Sequence, residues 1–153
     1  MTKVRRVQGT VLALALRPVK SQAVIVRDTL ELSPKTGVIG DHGTSRRRQV
    51  SLLDEAAWKA ACIEVGEELD WTTRRSNVLV SGLDLQTLVG SQIRLGSTLI
   101  EVMGEVVPCH VMDAAKKGLK LALKSEWRGG VYGRVIESGQ VHVGDKITIQ
   151  SSQ

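Results

Sequence analysis

The amino-acid sequence predicts a mixed α+β domain that is mostly β, arranged as a barrel-like sheet with a few short helices. Three observations lead there. Short β-type runs recur along the whole chain, broken by glycine, proline and polar residues, and one stretch alone carries a long helical period. These runs and helical segments do not alternate regularly enough for a doubly wound parallel sheet. Of the 153 residues, 42% are hydrophobic but only 3% aromatic (three Trp, one Tyr, no Phe), so the core must be built from Val, Leu, Ile and Ala.

The elements follow in order. Residues 10–16 are β-rich, and 23–27 and 30–32 are short β-type runs between polar residues. Residues 34–43, with Gly37, Gly40 and Gly43, read as a long loop. From Ser51 the period changes. Ser51 and Asp54 have capping-box spacing, Trp58, Ala61, Cys62 and Val65 fall at i, i+3, i+4 and i+7, and Gly66 supplies the stop. Residues 77–81 form an apolar strand and 83–88 a single helical turn. Residues 92–95 and 98–102 form a hairpin around Gly96-Ser97, with 104–107 still extended. Pro108 introduces a second helix ending near Gly118, because proline is favoured in a first turn where its missing N–H is not needed. Leu119, Ala122 and Leu123 mark another helical segment. Residues 131–137 and 146–149 are the last strands, with turns at Ser138-Gly139 and Gly144-Asp145.

The length suits one domain over residues 1–153, and no repeat, low-complexity stretch or linker divides it. No apolar run approaches the ~20 residues of a membrane span. The basic start followed by Val11 to Leu16 superficially resembles a signal peptide, but Arg17 and Pro18 interrupt the apolar run and no small-residue cleavage site follows. A cytoplasmic, membrane-free protein is expected. The net charge is +5 and the pI about 9.5. With so few aromatic platforms for bases to stack on, the charge points to a small anion more than to nucleic acid.

Two cysteines are too few for a disulfide framework and lack the CxxC spacing of a zinc site. Cys62 sits on the apolar stripe of the first helix and reads as a small core residue. Cys109 follows Pro108 at a helix start, where unpaired N–H groups favour a thiolate, which is both a nucleophile and a soft metal ligand; it can equally be packed. Asp41 and His42 lie in a Gly-flanked loop followed by Arg46, Arg47 and Arg48. Together these could hold a phosphate or another oxyanion, although a turn and a solvated arginine run are the plainer readings. Arg74, Arg75 and Asn77 stand at the entry to a strand, as pocket residues or as edge protection. Lys116, Lys117, Lys120 and Lys124 suggest an exposed basic face. His42, Cys109, His110 and His142 lack zinc spacing, and GxSxG, P-loop and GxGxxG patterns are absent.

Taken in order, GVIGDHG with RRRQVSLLDEAAW, then RRSNVLVSGLDLQTLVGSQIRLGSTLIEV, VPCH and WRGGVYGRVIESGQVHVGDKITI together resemble the MOSC domain, the C-terminal domain of molybdenum cofactor sulfurases. The resemblance runs from about Gly9 to Ile149. It implies a β-barrel-like fold that binds molybdenum cofactor (molybdopterin) or carries sulfur. In related reductases of N-hydroxylated compounds the cysteine matching Cys109 binds molybdenum. In the sulfurases the domain is thought to receive sulfur from a pyridoxal-phosphate-dependent cysteine desulfurase. By this resemblance Cys109 is the catalytic and metal-binding residue, as thiolate ligand or persulfide carrier. Asp41, His42, Arg47, Arg48, Arg75 and Asn77 line the cofactor pocket. Ser76 separates Arg75 from Asn77 where relatives commonly have Arg-Asn, so Arg74 and Arg75 are both candidates. No desulfurase lysine and no flavin, haem or iron–sulfur motif is present, so pyridoxal phosphate is not expected in this chain. Any reduction or sulfur transfer would need a partner, an electron-transfer protein or a desulfurase. The alternative is a non-catalytic module whose basic pocket binds an anionic ligand.

Overall fold

The computed structural model describes residues 5–20, 22–42 and 47–150. Strands β1 (Arg5–Leu16), β2 (Ile25–Arg27), β3 (Thr29–Ser33), β4 (Gly37–Val38) and β5 (Val50–Asp54) precede helix α1 (Glu55–Val65). After a 3-10 turn at Trp71–Arg74 come β6 (Val78–Ser81), a second such turn at Leu85–Leu88, β7 (Gln92–Leu95) and β8 (Thr98–Glu105). Two six-residue helices follow, α2 (His110–Ala115) and α3 (Leu119–Lys124), then β9 (Val131–Glu137), β10 (Gly139–His142) and β11 (Lys146–Gln150).

Seven strands close into a barrel in the order β1, β6, β5, β9, β8, β7, β11, with β11 pairing back onto β1 and β2 added to the end of β1. The pairs are antiparallel except β5 with β6, whose crossover carries α1. β1 serves three neighbours, β11 with its first half and β6 and β2 with its second. Register shifts between Val7 and Gly9 and between Val11 and Ala13 bend it from one neighbour to the next. A separate three-stranded sheet, β10-β3-β4, stands beside the barrel.

The alternation of strand side chains explains why the apolar runs are continuous. On β5 and β6, Leu52, Val78 and Val80 point into the barrel with Val11, Leu14, Ile93, Ile100, Val131 and Ile147. Their neighbours Leu53 and Leu79 point outward and are covered by Trp58, Ala61 and Cys62 of α1 and by Met112, Leu119, Ala122 and Leu123. Aliphatic side chains thus fill two layers, each fully buried Leu or Ile contributing about 1.5–3 kcal/mol.

The sequence reading differs from the fold at five places. β1 begins at Arg5, earlier than expected. The stretch from Ser51 is strand until Asp54, which caps α1 by accepting a 3.0 Å bond from the Ala57 amide, so Ser51 is no helix cap. Gly66, in the left-handed conformation at φ 75°, ends that helix as expected. β4 lies inside the predicted long loop, and β10 begins where only a turn was expected. Finally, the helix after Pro108 starts at His110 with Cys109 as its N-cap, so Pro108 precedes the first turn. No helix of the described residues is long and apolar enough to cross a membrane.

Candidate functional site: an arginine pocket at one end of the barrel

A cavity of about 130 Å³ opens where β1 ends, β5 begins and the Trp71–Arg74 turn runs into β6. That is the volume of about four water molecules in the liquid. Arg17, Arg48, Arg74 and Arg75 line it with Ser51 and Tyr132, and among the described residues no carboxylate does.

Arg74 is the most deeply set of the four, at 8% exposure. Its Nε donates to the Gly129 carbonyl at 3.0 Å and its Nη2 to the Val106 carbonyl at 2.8 Å. Nη1 has no acceptor among the described residues. Burial pushes the Arg74 pKa down and outweighs the attraction of Cys109 and Glu105, while the Arg17 charge lowers it further. An arginine in a protein nevertheless stays protonated, so this is a fixed cation held by two backbone carbonyls, neither of them ionised.

Arg17 is aimed differently. Asp41, with its side chain wholly buried, accepts from Arg17 Nε at 3.2 Å, Nη2 at 2.8 Å and the backbone amide at 2.7 Å. Burial pushes the Asp41 carboxyl up, but the hydrogen bonds and charge of Arg17, with the Asn77 amide, outweigh it and hold the group below its ordinary value of 3.8. Asp41 therefore remains ionised and fixes the guanidinium in a fork. Arg48 lies 4.9 Å above the Tyr132 ring, within cation–π range. Arg75 adopts φ 65°, a left-handed conformation uncommon outside glycine, and its side chain reaches the Gln22 carbonyl.

Behind this wall stands Asn77, with no exposed surface. Its Oδ1 accepts from the Ser51 amide at 3.0 Å and hydroxyl at 3.2 Å; its Nδ2 donates to the Ala15 carbonyl and to Asp41 Oδ1, both at 3.2 Å. The amide is thus fully used inside the protein, tying β1, β5, β6 and the Asp41 loop together.

The residues singled out from the sequence therefore separate. Arg48 and Arg75 line the cavity, and so does Arg74, the other candidate of the adjacent pair. Asp41 and Asn77 stand behind it and act through Arg17 and Ser51. His42 is exposed, its amide bonded to the Arg17 carbonyl at 2.8 Å, and Arg47 is exposed; neither lines the cavity. Arg46 lies outside the described residues. Cys109 is exposed and Cys62 buried. Cys109 does not line the cavity; it lies three residues beyond Val106, which does, and a negative charge there would favour the Arg74 cation. The helix it caps is only six residues long, so the local positive charge comes from Arg74 more than from a helix dipole. Lys117, Lys120 and Lys124 are exposed, as expected of a basic face, while half-buried Lys116 pairs with Glu67 at 3.3 Å. Among the described residues no three His, Cys, Asp or Glu side chains gather to hold a metal ion.

Arg17 was not singled out from the sequence. Its signal was the charge that ends an apolar strand, and its partner Asp41 is 24 residues away. Ser51 and Tyr132 carried no signal of their own.

The MOSC domain family model matches residues 39–148, well over half of the chain. No curated protein sequence matches. Among solved structures, the chain is similar to the YuaD protein from Bacillus subtilis, with a TM-score of 0.81 and 22% identity over 99% of this chain and 100% of that one. It is also similar to YiiM from Escherichia coli (TM-score 0.71, 18% identity, 94% of this chain and 71% of that one). A third is YiiM from Geobacillus stearothermophilus (TM-score 0.66, 13% identity, 97% and 76%). At these identities the structures speak for the fold alone, and it is the family match that shows the chain to belong to the MOSC domain family, a family linked to molybdenum-cofactor binding.

Proposed function

We propose that this protein binds molybdenum cofactor, with its phosphate in the arginine pocket and Cys109 as the thiolate ligand of the metal. The observation that carries the proposal is the set of four arginines around a cavity that no carboxylate of the described residues lines, one of them the buried Arg74 cation, with the exposed Cys109 three residues beyond the lining residue Val106. The donor set suits the group, since guanidinium forks match phosphate oxygens and molybdenum favours thiolate sulfur. A cavity of about 130 Å³ accepts an oxyanion but not a pterin as well, so the remainder of the cofactor would lie outside it. Arg17 and Arg74 would hold the phosphate, their orientation fixed by Asp41 and by the Val106 and Gly129 carbonyls. When bound, the cofactor supplies a redox metal for reducing N-hydroxylated compounds, with electrons from a separate electron-transfer protein. The protein works in the cytoplasm.

The exposure of Cys109 favours a second reading, that of sulfur carrier. Its thiolate would attack the terminal sulfur of a persulfide on a separate cysteine desulfurase, which leaves as its own thiolate. In a third reading, the pocket serves a non-catalytic module for an anionic ligand.

Metal and pterin analysis of protein purified from a cofactor-producing host tests the first reading. Molybdenum is expected in the wild type and lost in Cys109→Ser, with pterin reduced in Arg75→Ala. Wild-type protein free of both after reconstitution would overturn it. Intact-mass analysis with a desulfurase and cysteine tests the second: one added sulfur is expected on Cys109, and labelling confined to Cys62 excludes it.

A further inference from the structure

A second, larger cavity of about 780 Å³ shares no residue with the arginine pocket. It runs along the outside of the barrel between α1, the connection at residues 66–71 and Leu79 of β6. Trp58, Cys62 and Leu79 form its floor, and Trp58 is locked there by a 2.9 Å bond from its Nε1 to the Leu69 carbonyl. Ile63, 80% exposed, stands on its lip, and half-buried Trp71 also lines it. Two of the three tryptophans in an aromatic-poor chain therefore line one cavity.

The rim has the opposite sign to the protein. Against a net charge of +5, the lining carries Glu55, Glu67, Glu68 and Asp70, with Lys59 the one cation among the described residues there. Lys59 pairs with Glu55 at 3.7 Å and Lys116 with Glu67 at 3.3 Å, while Asp70 caps the Thr72 amide. Glu68 has no cation partner among the described residues. α1 also ends here, with no basic residue in its last turn, so its carbonyl end adds partial negative charge.

We infer that this cavity binds a small organic cation with an apolar body. The charged head sits at Glu68 and the end of α1, and the body lies against Trp58, Ile63 and Leu79. An apolar floor with aromatic rings and carboxylates at one end is complementary to such a molecule and repels anions such as the ligand of the arginine pocket.

Titration of the full chain with octyltrimethylammonium below its micelle concentration, followed by tryptophan emission, tests this. A saturable change is expected, with 1-octanol binding more weakly. Glu68→Gln, an exposed substitution that leaves the fold intact, should weaken the cation by about two- to fivefold and leave octanol unaffected. Cys109→Ser should bind the probe like the wild type, which keeps the result independent of the cofactor reading. Equal affinity for octanol and the cation, or no effect of Glu68→Gln, would overturn the inference. So would a basic amphipathic peptide that displaces the probe and binds more tightly, since that assigns the cavity to a protein segment.

Discussion

Replacing Asn77 by alanine separates a strut from a ligand contact. The wild-type amide accepts from the Ser51 amide and hydroxyl in a partly buried position beside the cavity, and donates to the Ala15 carbonyl and Asp41 Oδ1 in the interior. Alanine removes these four bonds. The Ser51 hydroxyl keeps its bond from the Asn77 backbone amide, and Asp41 keeps Arg17, so the groups left poorest are the Ser51 amide and one lone pair of the Ala15 carbonyl. At about 1–3 kcal/mol for each buried group left unsatisfied, and a further small loss for the cavity, the substitution should cost about 3–4 kcal/mol. That is a large part of the ~5–15 kcal/mol total stability of a domain. Urea denaturation should show a lower midpoint with an unchanged slope. Ser51→Ala, which loses only the hydroxyl bonds, should cost about 1 kcal/mol. A loss below about 1 kcal/mol in Asn77→Ala, with anion binding at the arginine pocket abolished, would refute the strut and return Asn77 to the ligand.

The two shifted carboxyls should act in opposite directions with pH. Asp41 titrates below its ordinary value, so its contribution is complete above that value and is lost as pH falls through the folded pKa; Asp41→Asn should be less stable than wild type near neutrality, with the gap closing in acid melts. Asp54 is raised, by burial first and with Glu55 and Asp84 adding to it against the Ala57 and Ala56 amides. Its contribution is therefore greatest below the ordinary value and falls as pH rises through the folded pKa. Asp54→Asn, which keeps a capping oxygen, should then be no less stable than wild type at neutral pH, whereas Asp54→Ala should lose about 1 kcal/mol in thermal or urea melts. Gly130 has φ 94°, and a Cβ there would run into the Leu52 carbonyl oxygen. Gly130→Ala should unfold at markedly lower urea and disturb Arg74, whose Nε rests on the adjacent Gly129 carbonyl. Wild-type stability in that variant would contradict the close approach.

Strands with a buried side on both faces, such as 78–81, were legible because their apolar runs are short, continuous and bounded by turn residues. The start of α1 was misplaced because Asp54 is at once the last residue of β5 and the cap of the helix, and Ser51 three residues earlier mimics a capping box. β4 and β10 were missed for another reason. One is two residues long and the other has a single buried side chain, Val141, so neither carries an apolar run long enough to read as a strand, and both exist because β3 lies beside them. The site followed the same division. Arginines that cluster in sequence could be found, and three of them line the pocket; the roles of Arg17 and Asp41 depend on a pairing made by the fold. Local pattern also could not distinguish Arg48, which faces Tyr132 and lines the cavity, from its neighbour Arg47, which does not.

The closing seam of the barrel joins the two ends of the described chain, with Arg5 opposite Gln150. During synthesis, β1 leaves the ribosome first and must wait for β11, the last strand, before its first half has a neighbour. Until then β1 belongs to an open sheet with a long unpaired edge, and sheet edges invite pairing with other chains. The arginine pocket, lined by residues between 17 and 132, takes no side chain from that seam, whereas a chain cut short before residue 146 should emerge without the seam and aggregate.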